Sequence, residues 1–448
     1  MTILIAICIC SFVYLIRSIR RNKLSLGLPI AYLYMLLMIH VPGAFAHIFG
    51  QDFLPNTGLT QLAMNFVAAA SVCFVAGVWW SRRSIQSSSG CCVVDRRKFC
   101  SFCVLGGWFF IYGLSPLFRI PSVGAAVEKG SGIWMLGVLL GLRAAIKRAD
   151  LKWILIWLSA LSVYPVVMLL LGGFLSFGAW AIVIVFAGLT VSTTSGMRVT
   201  VGVVLFLYIG LTIFVNYFEH RDNIRHEVWG GAPLAARIDS VTGIVNDFTW
   251  FDTTNRTHLI ALDLRLNQNF FVGLAAARIQ DGRSKHLYGQ SLWEGLLALV
   301  PRILWPQKPV FAGSPEIVSK MTGLRLSPTT SFGIGNVMEL QINFGMPGVV
   351  IGFLGLGWLI GTLDLRAALA EVQGDLRTTI LYFLPSLALL DPQGSFVQLF
   401  GGSAAAFIGA LVWRELWLRF QHKFPGQLTI NRNIDYHESS LYQRQPAG

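Results

Sequence analysis

The sequence predicts an all-α integral membrane protein of about eleven transmembrane helices, with one large extracytoplasmic loop that holds short interfacial helices. Three observations predict it. Of 448 residues, 54% are apolar and only 13% charged, too few polar groups to cover the surface of two or three soluble domains. Weakly charged apolar runs recur, each roughly the 20 residues a helix needs to cross ~30 Å of hydrocarbon. A polar stretch of 119 residues, Tyr217 to Gly335, interrupts them.

The expected spans are 1–16, 25–47, 60–80, 100–118, 131–147, 153–171, 173–192, 199–217, 337–362, 378–391 and 395–418. They divide the chain into eight spans in 1–216, the loop 217–335, three spans in 336–418, and a cytoplasmic tail 419–448. The first run lacks a basic lead, and its cations Arg17, Arg20, Arg21 and Lys23 follow it, which suggests an uncleaved anchor with its N-terminus outside. From that start, 21 of the 35 Lys and Arg fall on one side, in connections and the tail. The short loops opposite carry Arg119 and Lys129, and the positive-inside rule places the long loop outside. The net charge of +13 equals that of the inner side, so the basic pI reflects topology and nucleic acid is not expected as a partner.

All seven cysteines precede residue 104, so the loop has no disulfide and must be held by packing on the bundle. Cys91, Cys92, Cys100 and Cys103 resemble a thiolate set, but the last two open an apolar span and read as buried thiols. Trp79, Trp80, Trp153, Trp413 and Trp417 stand near span ends as interface anchors. Gly357 and Gly361 form a GxxxG suited to close helix approach. Within the loop, Ser291-Leu-Trp-Glu294 fits a capping box for a helix running to Val300 and stopped by Pro301. The run 266–280 is a second short helix. Both are too short to cross a bilayer and suit the outer interface, at the depth of a lipid headgroup.

The loop gathers Arg221, Arg225, Arg237, Arg256, Arg265, Arg278, Arg283 and Arg302 with Lys285 and Lys308. Arginine forks match phosphate oxygens in pairs, although 12 cations against 10 acids also describes a solvated loop. No GxxxxGK[ST], GxGxxG, HExxH or GxSxG occurs, so no nucleotide cofactor is implied. His220, His226, Glu219 and Asp222 cluster with generic spacing, and no metal site is assigned. Asn255-Arg-Thr257 matches a glycosylation sequon, meaningful only in a secretory setting. Glu339 stands in an apolar run where the loop re-enters the membrane, a costly place for a carboxylate and so a functional candidate. Asp391 in DPQGS reads as a turn former.

Two signatures close the loop: YGQSLWEGLLALVPRILWPQKP from Tyr288 and MELQINFGMPGVVIG from Met338. Together with the layout of many helices and one long loop before the last spans, they resemble the oligosaccharide repeat-unit polymerases, the O-antigen (Wzy-type) polymerases of bacteria. The resemblance covers about 65 residues, Tyr288 to Gly352. Arg278 and Gly289 also echo an Arg-x10-Gly spacing found in some of these enzymes.

The resemblance implies a GT-C-like glycosyltransferase of the bacterial inner membrane with an extracytoplasmic site. It would join undecaprenyl-pyrophosphate oligosaccharide units without metal or other cofactor, beside membrane lipid, a flippase and a chain-length regulator as partners. Arg278, Arg283, Arg302 and Lys308 would bind the pyrophosphate, and the general base would be one of Glu339, His258 and Asp281, with Glu339 and His258 the catalytic candidates. An O-antigen ligase usually carries a His-Asn where this chain has Ile334, Gly335 and Asn336. A lipid-linked glycan flippase would place polar residues inside several spans, whereas polarity here lies in the loop.

Overall fold

A computed structural model describes residues 1–48, 57–83, 96–120, 122–193, 195–300, 302, 304–309, 314–325 and 333–423. These residues form helices and connections, with no strand among them. The first part contains α1 (Thr2–Asn22), α2 (Leu28–Met38), α3 (Val41–Ile48), α4 (Thr57–Arg83), α5 (Arg96–Tyr112), α6 (Val123–Gly130), α7 (Ile133–Lys147), α8 (Leu151–Gly172) and α9 (Ser176–Ser192). The long helix α10 (Gly196–Trp229) leads into α11 (Leu234–Asn246), α12 (Arg256–Arg265), α13 (Asn269–Gln280), α14 (Gln290–Ala298) and α15 (Ser314–Thr322). The chain closes with α16 (Asn336–Val372), α17 (Leu376–Leu389) and α18 (Phe396–Lys423).

The protein is an all-α membrane protein. Among the described residues, eight stretches are long and apolar enough to cross a bilayer: α1, α2 with α3, α4, α6 with α7, α8, α10, α16 and α18. The other three expected spans fall on α5, α9 and α17, of 17, 17 and 14 residues. At 1.5 Å per residue these reach only about 21–25 Å, short of ~30 Å of hydrocarbon.

The core is built on α16 lying along α4. Glycine permits it. A Cβ at Gly77 would meet the Leu354 carbonyl, one at Gly357 the Phe74 carbonyl, and one at Gly361 the Ser81 hydroxyl. The GxxxG therefore does what its spacing predicts. At the Arg-rich end of this pair, buried Asp364 accepts the N–H of Leu26 at 2.9 Å and of Leu28 at 3.2 Å, and pairs with Arg82 at 3.4 Å. Three backbone or side-chain partners for one carboxylate tie α1–α2, α4 and α16 together.

Several sequence expectations change in the fold. The polar loop does not start as a loop: α10 runs unbroken through Tyr217 to Trp229, because no glycine or proline stands between Gly210 and Gly230. Trp413 and Trp417 are not interface anchors; both are buried, packed on Phe99, Phe102 and Phe420. Gly106 leaves room for the Trp413 ring, whose Nε1–H donates to the Gly130 carbonyl at 2.9 Å. The capping box is not formed: α14 starts two residues earlier than it predicts, at Gln290, with Gly289 as its cap. Ser291 is drawn away by Asn343, and Glu294 instead accepts from Gln290 Nε2 at 3.1 Å. The short helix α13 packs on α4, α15 and α16, with Gly273 against the Leu59 carbonyl. Cys100 and Cys103 are buried in α5, as their apolar span suggests, while Cys91 and Cys92 lie outside the described residues, as do Pro301 and the tail beyond Lys423.

Candidate active site

The two sequence signatures meet at one point. Helix α16 cannot run straight through NFGMPG, since Pro347 lacks an N–H for the Asn343 carbonyl and Gly345 adopts φ 65°, ψ −146°, a region open essentially to glycine. The kink frees the Ile342 carbonyl from its helical partner. That carbonyl accepts the Leu287 N–H at 2.9 Å and lies 3.2 Å from His286 Nδ1. The segment preceding α14 is thereby pinned to α16. Tyr288 (φ 46°) and Gly289 (φ 92°) are both left-handed, and the glycine sits under the Phe344 ring. A tyrosine held there stores backbone strain, a feature that clusters at functional sites.

Side chains complete the junction. Asn343 accepts the Gly289 N–H at 2.9 Å and donates through Nδ2 to Ser291 Oγ at 2.8 Å and to the Glu339 carbonyl at 2.6 Å. Glu339 is fully buried, one turn earlier on α16. Its Oε2 accepts the Phe396 N–H at 2.8 Å, at the start of α18, where the exposed amides of a helix favour an anion. Its Oε1 is buried without a donor in close hydrogen-bond geometry, and the Ser291 hydroxyl, which accepts from Asn343 Nδ2, is placed to donate its own proton to the carboxyl. The carboxyl is thus shared between the Phe396 N–H and the Ser291 hydroxyl, both within the junction.

His286 is the residue that sequence reasoning missed. A carbonyl can only accept, so the contact with Ile342 fixes the neutral ring's proton on Nδ1 and leaves Nε2 as a lone-pair base. A Cβ at Gly345 would lie 3.6 Å from His286 Cε1 and 4.0 Å from Nε2, so the bare kink faces the imidazole. No motif spacing marks His286. Only the tertiary kink at Gly345 supplies its partner.

The other sequence candidates are dispersed. His258 is buried on α12, where Nδ1 accepts the Asp252 N–H at 3.1 Å and Nε2 is 3.4 Å from Thr249 Oγ1 and 4.0 Å from Glu219 Oε1. None of those partners belongs to the Glu339 network. Arg302 and Lys308 do come together, but on backbone. Arg302 Nη1 donates to the Lys308 carbonyl at 2.9 Å, and Lys308 Nζ donates to the carbonyls of Ala298 at 3.1 Å and Val300 at 2.9 Å. That is a cap for the C-terminus of α14. Enclosure by this turn, and next the charge of Arg302, push the Lys308 pKa below the ordinary lysine value.

Since α14 is nine residues long, the cap lies roughly 12 Å along its axis from the Glu339 end. Arg283 pairs with Asp281 at 3.0 Å, both exposed. Arg278 packs its guanidinium over Gly323, with Nε buried and without a partner. Asp391 makes a turn, accepting the Gln393 N–H at 3.0 Å, and Asn255 caps α12 through the Thr257 N–H at 2.9 Å. Among the described residues, no group of three or more His, Cys, Asp or Glu is placed to hold a metal ion; His220 instead pairs with Asp247 at 3.0 Å. Comparison with family models, curated proteins and solved structures gives no match for this chain.

Proposed function

We propose that this chain is a glycosyltransferase that polymerises oligosaccharide units carried on undecaprenyl pyrophosphate, at the outer face of the bacterial inner membrane. The observation that carries the reading is the junction itself. The two motifs that resemble repeat-unit polymerases, 288–309 and 338–352, converge on the buried carboxyl of Glu339, with Ser291 of the first motif beside it.

In this reading Glu339 accepts the proton of the acceptor sugar hydroxyl. The hydroxyl oxygen then attacks the anomeric carbon of the donor chain, the bond from that carbon to the pyrophosphate oxygen breaks, and the lipid diphosphate leaves with the electron pair. A carboxylate that already spends one oxygen on a helix N-terminus is held in a fixed orientation, which favours proton transfer. His286, whose Nε2 lies beside the kink, is a second candidate base within the same junction. Guanidinium groups of the loop offset the charge that develops on the leaving diphosphate.

The test uses purified protein and defined lipid-pyrophosphate repeat units. Wild type yields products longer than one unit, while Glu339→Gln, which keeps an oxygen for the Phe396 N–H, yields none at an unchanged unfolding midpoint. Substrate that crosses a bilayer without elongation would sink the reading in favour of transport, and transfer only to a lipid core would favour a ligase.

A further inference from the structure

A second group of cations lies on the other side of the loop region, on α10 and α12, apart from the residues of the Glu339 junction. Arg221 and Arg225 stand one turn apart on α10 and so share a face. Arg265 ends α12, the helix that packs on α10. The Arg221 guanidinium lies 4.9 Å from the Phe218 ring centre, and that of Arg225 lies 4.9 Å from Phe174 and 5.3 Å from Trp229. These rings fix the two forks without using their N–H groups. The Nη1 of Arg221 and the Nε of Arg225 are buried with no hydrogen-bond partner.

Cations outnumber carboxylates around Arg265. Its pKa is pushed down, first by its partial burial and then by Arg221 and Arg225, with Asp222 the carboxylate that opposes this. Asp222 is largely exposed and engages only the Nε of Arg221, at 3.0 Å. Bringing like charges together while leaving buried N–H groups empty costs free energy, which a bound oxyanion would return. The helix C-terminus accounts for Arg265 alone, since it favours a cation there, but not for the convergence.

Length sets the depth. The 34 residues of α10 extend about 51 Å, some 20 Å more than the hydrocarbon requires. With Gly196 at one membrane edge, Arg221 and Arg225 emerge just past the other, at the level of phosphate headgroups.

We propose that Arg221, Arg225 and Arg265 form a binding site for a phosphate-type oxyanion of a lipid headgroup. The shared chemistry is that of a phospholipid phosphodiester and of a polyprenyl diphosphate. Only the second identity rests on the polymerase reading, and the site itself does not.

The probe is inorganic pyrophosphate, titrated calorimetrically into the purified full chain in phosphate-free neutral detergent. Binding is expected, weakened about tenfold or more by Arg225→Gln and by Arg265→Gln and unchanged by Arg419→Gln, an exposed arginine of α18. Arg265 is exposed at a helix end, so its variant is expected to keep the wild-type unfolding midpoint.

A second arm repeats the titration in nanodiscs of phosphatidylcholine with or without phosphatidylglycerol. Competition by phosphatidylglycerol identifies a phospholipid headgroup as occupant, and its absence identifies a diphosphate; either outcome supports the site. No binding to wild type, or binding indifferent to both arginine variants, overturns it. Loss of pyrophosphate binding with elongation intact would leave the anion site standing and remove it from catalysis. Elongation that depends on Glu339 without any pyrophosphate binding would overturn this inference alone.

Discussion

Asn343 and Gly289, 54 residues apart in the chain, are joined by a 2.9 Å hydrogen bond from the glycine N–H to the amide oxygen. The same side chain donates to Ser291 and to the Glu339 carbonyl, so one amide orders both the start of α14 and the turn that carries the carboxylate. Asn343 is fully buried, and water does not replace these bonds when they are lost. Asn343→Ala is expected to destabilise the protein by about 1–3 kcal/mol and to slow elongation. Thermal unfolding in detergent measures the first effect, and an unchanged midpoint would show that the junction does not hold α14.

Gly345 carries the kink of α16. Its φ of 65° with ψ −146° admits no side chain without strain, although the nearest atom to a new Cβ, His286 Cε1, is 3.6 Å away. Backbone conformation, not space, therefore forbids substitution. Gly345→Ala is expected to cost about 1–3 kcal/mol and to release the Ile342 carbonyl from His286. The histidine ring signals in NMR spectra of selectively labelled protein should shift, whereas an unshifted His286 resonance would mean that the kink is not what holds it.

Lys308 is expected to act on structure before substrate. Lys308→Met keeps the aliphatic stem and removes both bonds to the last carbonyls of α14, at a cost of about 1 kcal/mol given the turn's partial exposure. Hydrogen exchange in residues 296–300 should quicken while elongation persists. Elongation lost with exchange unaltered would return Lys308 to the substrate, as its place in PRILWPQKP implies.

Much of the architecture was legible because membrane helices announce themselves by length and apolarity. The GxxxG of Gly357 and Gly361 was equally readable, since close approach needs only the absence of side chains at that spacing. Glu339 stood out for the same reason, a carboxylate in an apolar run. Less legible was which backbone groups the polar residues near the motifs would meet. Arg302 and Lys308 are spent in part on backbone carbonyls, and Ser291 serves Asn343 instead of capping its helix. Trp413 and Trp417 look like interface residues by position, yet glycines on neighbouring helices give at least the first a buried slot.

By itself the sequence determined that this chain is helical, that most of it suits a bilayer, and that polar residues collect between Tyr217 and Asn343. Hydrophobic period, run length and residue type are local properties, and they set those outcomes. Tertiary structure alone decided which groups meet: His286 with the Ile342 carbonyl, and Glu339 with the first amide of α18. Such meetings depend on where a kinked helix and a folded-back loop bring backbone groups that no spacing encodes, and a hydrogen bond acts only within about 3 Å of that arrangement.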